Sequence, residues 1–140
     1  MGQRALFILV FVFLVGCNSN SPFNYVKASG KITYEDGSPI PAGGMELRFS
    51  ALDAPKLEKA YPRPAVARVN DKGEFDLVTS YKYGDGLIPG RHKVSIDLGS
   101  GPDTKPLVPK EYRSIATTPL EVDTANLPFD IKVPKPKGNR

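Results

Sequence analysis

From Val26 onward, apolar and polar residues alternate along the chain with a period of two. Val26, Ala28, Gly30, Ile32 and Tyr34 fall on one side of an extended segment, and Lys27, Ser29, Lys31 and Thr33 fall on the other. A half-buried strand has this pattern, because successive side chains of extended backbone point to opposite faces. Met45 to Ser50 repeats it, with Met45, Leu47 and Phe49 inward. Glu74 to Thr79 does so through Phe75 and Leu77, and Arg91 to Leu98 through His92, Val94, Ile96 and Leu98. Ala65 to Asn70, Leu120 to Asp123 and Phe129 to Val133 bring the candidate strands to seven.

The intervals carry turn chemistry. Asp36-Gly37, Gly43-Gly44, Asp71-Lys72-Gly73, Asp85-Gly86 and Pro89-Gly90 supply residues that accept positive φ or fix φ near the turn value. Asp71-Lys72-Gly73 reads as a three-residue hairpin loop joining Ala65–Asn70 to Glu74–Thr79, with Gly73 left-handed. No helix of ordinary length fits between these signals. Short strands with one apolar face each must bury those faces against one another, so the expected fold is all-β, an antiparallel β-sandwich of about seven strands.

The amino terminus is patterned differently. Ala5 to Val15 is an unbroken apolar run behind a short segment carrying Arg4, the shape of an export signal and too short for a permanent membrane span of about 20 residues. Leu14-Val15-Gly16-Cys17 closely resembles the lipobox of bacterial lipoproteins, in which signal peptidase cuts before a cysteine already carrying diacylglycerol on its sulfur. That resemblance implies a signal peptide over residues 1–16 and recognition through Leu14, Val15 and Gly16. It makes Cys17 the lipidated first residue of the mature chain, with a polar tether over 17–25. The expected location is the cell envelope, on the periplasmic or outer-membrane face, with membrane lipid as the first partner. The other reading is an ordinary secretory signal that leaves a soluble protein with one thiol.

Composition sharpens this picture in three ways. Fourteen prolines and thirteen glycines in 140 residues favour turns over helices. Cys17 is the sole cysteine, so no intramolecular disulfide can staple the domain. The net charge of +4 falls to +3 once Arg4 leaves with the signal, and Lys132, Lys135, Lys137 and Arg140 crowd the last nine residues. The sandwich, over 26–134, is therefore close to neutral, followed by a basic, disordered tail over 135–140. Nothing here builds the basic, aromatic face of a nucleic-acid binder.

The order of three motifs carries a family resemblance. Gly30-Lys31-Ile32-Thr33-Tyr34-Glu35-Asp36-Gly37-Ser38-Pro39-Ile40, then Asp71-Lys72-Gly73-Glu74-Phe75, then Asp85-Gly86-Leu87-Ile88-Pro89-Gly90-Arg91-His92-Lys93-Val94 resembles the carboxypeptidase-regulatory-like, transthyretin-like sandwich. Val108-Pro109-Lys110-Glu111-Tyr112 with Thr117-Thr118-Pro119-Leu120 is similar to its variant in small lipoproteins of planctomycete-type bacteria. The resemblance implies a fold and a location rather than an activity.

Catalysis finds little to work with. Transthyretin-like hydroxyisourate hydrolases use several histidines and a terminal Tyr-Arg-Gly-Ser, whereas His92 is the sole histidine and Tyr112-Arg113-Ser114 lacks the glycine. Intradiol dioxygenases need two histidines for iron. There is no G-x-S-x-G, and a lysine-to-asparagine crosslink between first and last strands lacks its asparagine. Glu46, Asp76, Asp97, Glu121 and Asp130 read as a solvated face, and His92 as a partly buried structural residue. No catalytic residue, metal site or cofactor is expected. The candidate binding loops are Tyr81-Lys82-Tyr83, whose tyrosines suit a sugar or peptide unless one simply caps the sandwich edge, and the long Gly99–Thr118 connection around Lys110 and Tyr112. The expected function is non-catalytic, structural or interactive, toward an envelope protein or polysaccharide. A glycan- or peptide-binding module and a hydrolase with an unrecognised site are the alternatives.

The amino-terminal reading is directly testable. Labelled fatty acid should enter the wild-type chain and not Cys17→Ser, which should persist as an uncleaved precursor because oxygen does not replace sulfur in the transfer. Normal labelling and processing of Cys17→Ser would remove the anchor assignment.

Overall fold

The computed structural model describes residues 21–99 and 106–138; Leu14, Val15, Gly16 and Cys17 lie outside them. Eight strands follow in order: β1 Gly30–Tyr34, β2 Glu46–Ala51, β3 Ala65–Arg68, β4 Glu74–Phe75, β5 Val78–Thr79, β6 Arg91–Asp97, β7 Glu121–Asp123 and β8 Phe129–Val133. Two 3₁₀ turns, Lys110–Arg113 and Thr124–Asn126, flank β7. No helix of the described residues is long and apolar enough to cross a membrane.

The strands form a three-stranded sheet, β4-β1-β8, and a five-stranded sheet, β5-β3-β2-β6-β7. An all-β sandwich is thus the architecture, as the alternation predicts. Its inner faces are the predicted ones over most strands. Ile32, Tyr34, Met45, Leu47, Phe49, Val94, Ile96, Phe129, Ile131 and Val133 are buried in one core.

Two features depart from the expected seven antiparallel strands. β1 pairs with β8 in parallel, Gly30 opposite Phe129 through Tyr34 opposite Val133, a long-range pairing that strand periodicity does not encode. The segment Glu74–Thr79 is two strands rather than one. β4 pairs with β1 in the smaller sheet, and β5 pairs with β3 in the larger one. Crossing between layers at Asp76-Leu77 resets the alternation, so Val78 is buried and Leu77, expected inside, is exposed.

The Asp71-Lys72-Gly73 turn forms with Gly73 left-handed as expected, but it is not the loop of a hairpin: β3 pairs with β2 and β5, β4 pairs with β1, and the turn carries the chain from the larger sheet to the smaller. Asn70 closes it by accepting Lys72 N–H and Glu74 N–H on Oδ1, each at 2.9 Å, while its own N–H donates to Glu74 O at 2.9 Å. Gly73 has φ of +80°, where a side chain is strained by roughly 1–2 kcal/mol. It also lies against β1, since Ile32 N–H donates to Gly73 O at 2.7 Å. A Cβ on Gly73 would stand 2.3 Å from Ile32 O. The turn therefore serves as a docking point for the first strand.

Two outward positions are covered. Thr33 is buried with its hydroxyl accepting from Lys132 Nζ at 2.9 Å. Ser95 is buried on β6, against which the Lys110–Arg113 turn packs. The described part of the 99–118 connection behaves as a strap. Val108 is fully buried, Tyr34 Oη donates to Leu107 O at 2.6 Å, and Thr118 Oγ1 donates to Val94 O at 2.6 Å.

Gly73→Ala should lower stability by at least about 1–2 kcal/mol through its backbone conformation alone, and further through the clash with Ile32 O. Lys72→Ala, one residue away and exposed, should stay within about 0.5 kcal/mol. Urea midpoints of the two variants measure the difference; equal midpoints would contradict the docked, left-handed turn.

Candidate functional site

The tyrosine-bearing segment Ser80–Gly86 has no regular structure, yet hydrogen bonds fix it. Asp85 gathers the backbone of the residues before it: Oδ1 accepts from Ser80 N at 2.8 Å, and Oδ2 from Tyr81 N at 3.0 Å and Lys82 N at 2.8 Å. Ser80 Oγ donates to Gly86 O at 2.5 Å, and Gly84 N–H to Thr79 Oγ1 at 3.0 Å. The Lys27 ammonium donates to the Gly84 carbonyl from the chain's first segment. That segment is itself pinned, Val26 and Leu87 exchanging N–H···O bonds of 2.8 and 2.9 Å. An aspartate accepting successive backbone N–H groups is how short polar side chains hold a non-repetitive turn.

This scaffold displays its tyrosines unequally. Tyr83 is 86% exposed, whereas Tyr81 is 41% exposed and its ring is partly covered. A large amphipathic ring as exposed as Tyr83 contributes little to the core and is available for contact.

The two rings open onto different grooves. Tyr83 borders one of about 490 Å³ on the outer face of the larger sheet, with Glu46, Val66, Arg68, Leu77 and Thr79. Strand register assembles it: Thr79 lies opposite Val66, and Arg68 opposite Glu46. Arg68 Nε donates to Glu46 Oε1 at 3.3 Å. The change of sheet at Asp76-Leu77 turns Leu77 out beside them. The groove, which Asp76 also borders, thus combines an aromatic face, an aliphatic floor, a guanidinium and two carboxylates.

Tyr81 borders the other, of about 590 Å³, with Pro22, Tyr25, Lys59, Tyr61 and Arg63. The Arg63 guanidinium stands over the Tyr81 ring, 5.1 Å from its centroid, a cation–π contact that joins the 52–64 connection to the tyrosine turn.

No match emerges for the chain among family models, curated proteins or solved structures.

Lys110 and Tyr112 border neither groove: Lys110 is exposed on its 3₁₀ turn, and Tyr112 packs half-buried against the core. Sequence reasoning missed Tyr25, Lys59, Tyr61 and Arg63. Their one signal is the stretch Leu52–Pro64, where strand alternation lapses and Tyr61 stands beside Pro62 and Pro64.

The side chains with potential for chemistry are otherwise engaged. A shallow pocket of about 310 Å³ is bordered by Glu121, Asp123 and Asp130. Glu121 accepts from Arg91 at 3.3 Å, Asp123 from Ala125 N–H at 2.9 Å, and Asp130 pairs with Lys132 at 3.3 Å. Arg91 also grips both oxygens of Asp53 at 3.0 Å, which holds that carboxyl below its usual range. Among the described residues no group of three or more His, Cys, Asp or Glu is placed to hold a metal ion.

His92 lies inside, 2% exposed, with Nδ1 3.2 Å from Gly90 O. Burial pushes its pKa down, against smaller upward influences from the Gly90 carbonyl and from Asp123 and Asp53. The folded state therefore favours neutral imidazole, whereas the unfolded chain takes up a proton as pH falls below about 6.5. Stability contributed this way is complete above that pH and lost below it, with a slope of at most about 1.4 kcal/mol per pH unit. Denaturation midpoints between neutral pH and the carboxylate range should decline for wild type and lose that decline in His92→Gln. An unchanged slope in the variant would show that His92 is not the titrating group.

Proposed function

We propose that the protein is a non-catalytic cell-envelope lipoprotein, held to a membrane by acyl chains on Cys17, whose sandwich acts by contact with another envelope component. The observation that carries this reading is the presentation of Tyr83 on the Asp85-braced turn. An 86%-exposed ring follows the Asp85-braced residues and borders a groove that the sheet register assembles. Bracing of the turn lowers the ordering cost of binding, and an aromatic ring supplies contact area with few torsions to freeze. The lipobox-like run before Cys17 and the order of turn motifs through the domain support the anchored, transthyretin-like setting.

Within this reading the Tyr83 groove suits a glycan or an extended peptide. A flat ring beside Leu77 can stack on a sugar face, while Glu46, Arg68 and Thr79 offer hydrogen-bond partners along the rim. Hydrolysis draws no comparable support, since the carboxylates of the shallow pocket are already bonded to Arg91, Lys132 and backbone.

A photoreactive phenylalanine analogue replacing Tyr83 should yield a discrete crosslinked adduct in native membranes, and the same analogue at Lys72, exposed on the Asp71-Lys72-Gly73 turn, should not. For a polysaccharide partner, Tyr83→Ala should weaken sedimentation with purified envelope glycan by about tenfold, equivalent to ~1.4 kcal/mol. Identical adducts from both positions would overturn the assignment of Tyr83 as the contact.

A further inference from the structure

The exposed apolar side chains are not scattered. Among the described residues, the large exposed ones are Leu52, Leu57, Tyr61, Leu77, Tyr81 and Tyr83. Leu77 and Tyr83 belong to the groove on the sheet face. The other four converge on a second surface, which Tyr81 of the same turn borders. Tyr61, 85% exposed, borders both the Tyr81 groove and an adjoining depression bounded by Leu52, Lys56 and Leu57, so the two form one continuous surface.

Cations surround it. Lys56 and Lys59 rise from the 52–64 connection, and Arg63 covers Tyr81. Against them stand Glu58, exposed on the same connection, and Asp53, which Arg91 takes up at 3.0 Å. The surface is therefore aromatic and aliphatic at its centre and positive at its margin.

The position of the chain's first segment sets this surface close to the anchor. Pro22 and Tyr25 are part of the groove wall, and Pro22 follows Cys17 by five residues. Extended backbone spans at most about 3.6 Å per residue, so a lipidated Cys17 holds Pro22 within roughly 18 Å of the membrane surface. The surface bearing Leu52, Leu57, Tyr61 and Tyr81 is thereby kept within reach of the bilayer. Tyrosine rings settle at the headgroup level, and lysine and arginine lay their stems along apolar surface while their charges reach anionic phosphate. A basic patch beside an acyl anchor is a recognised second membrane signal.

We infer that the Tyr25–Tyr61–Tyr81 surface, with Lys56, Lys59 and Arg63, docks on the anionic phospholipid bilayer that carries the anchor, which leaves the Tyr83 groove turned to other components. This rests on the lipidation of Cys17. It assigns the surface a partner, the phospholipid headgroup layer, that the tether alone does not supply.

The chain has no tryptophan, so a single substitution gives a unique fluorophore. Acylated full-length mature protein carrying Tyr61→Trp or Tyr83→Trp would be reconstituted into vesicles of phosphatidylethanolamine and phosphatidylglycerol with brominated acyl chains. Tyr61→Trp should emit at shorter wavelength and lose roughly half its intensity to the bromines, its ring lying within about 5–10 Å of the acyl boundary. Tyr83→Trp should keep the emission of a water-exposed ring. If both variants float with the vesicles and Tyr61→Trp is quenched no more than Tyr83→Trp, docking is overturned while the anchor stands. If neither floats, anchor and docking fall together. If Tyr61→Trp responds to envelope polysaccharide and not to brominated lipid, the surface belongs to a glycan and the bilayer assignment is overturned.

Discussion

The fold depends on one ring passing between two sheets. Phe49 projects from β2 in the five-stranded layer and meets Phe75 of β4 and Phe129 of β8 in the three-stranded layer, with both centroids 6.1 Å from its own. Phe75 and Phe129 flank a single residue, since Gly30 is the register partner of both. A Cβ on Gly30 would stand 2.8 Å from Phe129 Cβ and 2.9 Å from Phe75 Cζ. The absence of a side chain on β1 thus makes the space in which the two rings close on the third. Full burial of such a ring is worth about 1.5–3 kcal/mol, and the aromatic contacts add to it. The same contact holds the smaller sheet's outer strands, β4 and β8, over the larger sheet, and β4, only two residues long, has little else to fix its place.

Much of this architecture was legible in the chain because strand alternation is local. The inward sets of β2, β6 and β8 are read directly from Met45-Leu47-Phe49, His92-Val94-Ile96 and Phe129-Ile131-Val133, and the Gly73 turn from its three-residue spacing. What escaped is what alternation cannot carry. A parallel partner nearly 100 residues away leaves no trace in the period of either β1 or β8. A strand that changes sheet reads as continuous until the residue at the crossing, Leu77, is found on the wrong side. The slip is one residue, and in a period of two that is enough to exchange faces.

The candidate site follows the same division. Tyr81 and Tyr83 stand out in sequence because they precede a glycine-rich turn, and the structure leaves Tyr83 in solvent and Tyr81 partly covered. Tyr25, Tyr61 and Arg63 did not stand out, because Leu52–Pro64 has neither strand period nor turn motif to mark it. Their relation to Tyr81 arises only when the first segment bridges to Leu87 and the 52–64 connection folds over the same corner. Lys110 and Tyr112 show the converse. The described part of a connection long enough to suggest a binding loop is held down by Val108, Leu107 and Thr118, and its Tyr112 ring packs half-buried against the core.

The charges explain why the surface can be read for contact rather than for stability. Arg48–Asp97, Arg68–Glu46, Arg91–Glu121 and Lys132–Asp130 lie across neighbouring outward positions with largely solvated side chains. Such pairs contribute at most about 1 kcal/mol each and are screened by salt. The fold is therefore carried by the core around Phe49, and the charges of the outer faces add little to it. A surface under so little structural constraint has no folding reason to hold Tyr61 and Tyr83 each about 85% in water, nor to brace the turn between two grooves with three backbone bonds to Asp85. Tyr81 and Tyr83 stand two residues apart on that turn and border one groove each. A domain that meets a membrane through the Tyr81 groove would therefore carry the Tyr83 groove on the same braced turn, and the Asp85 hydrogen bonds are the feature that links the two.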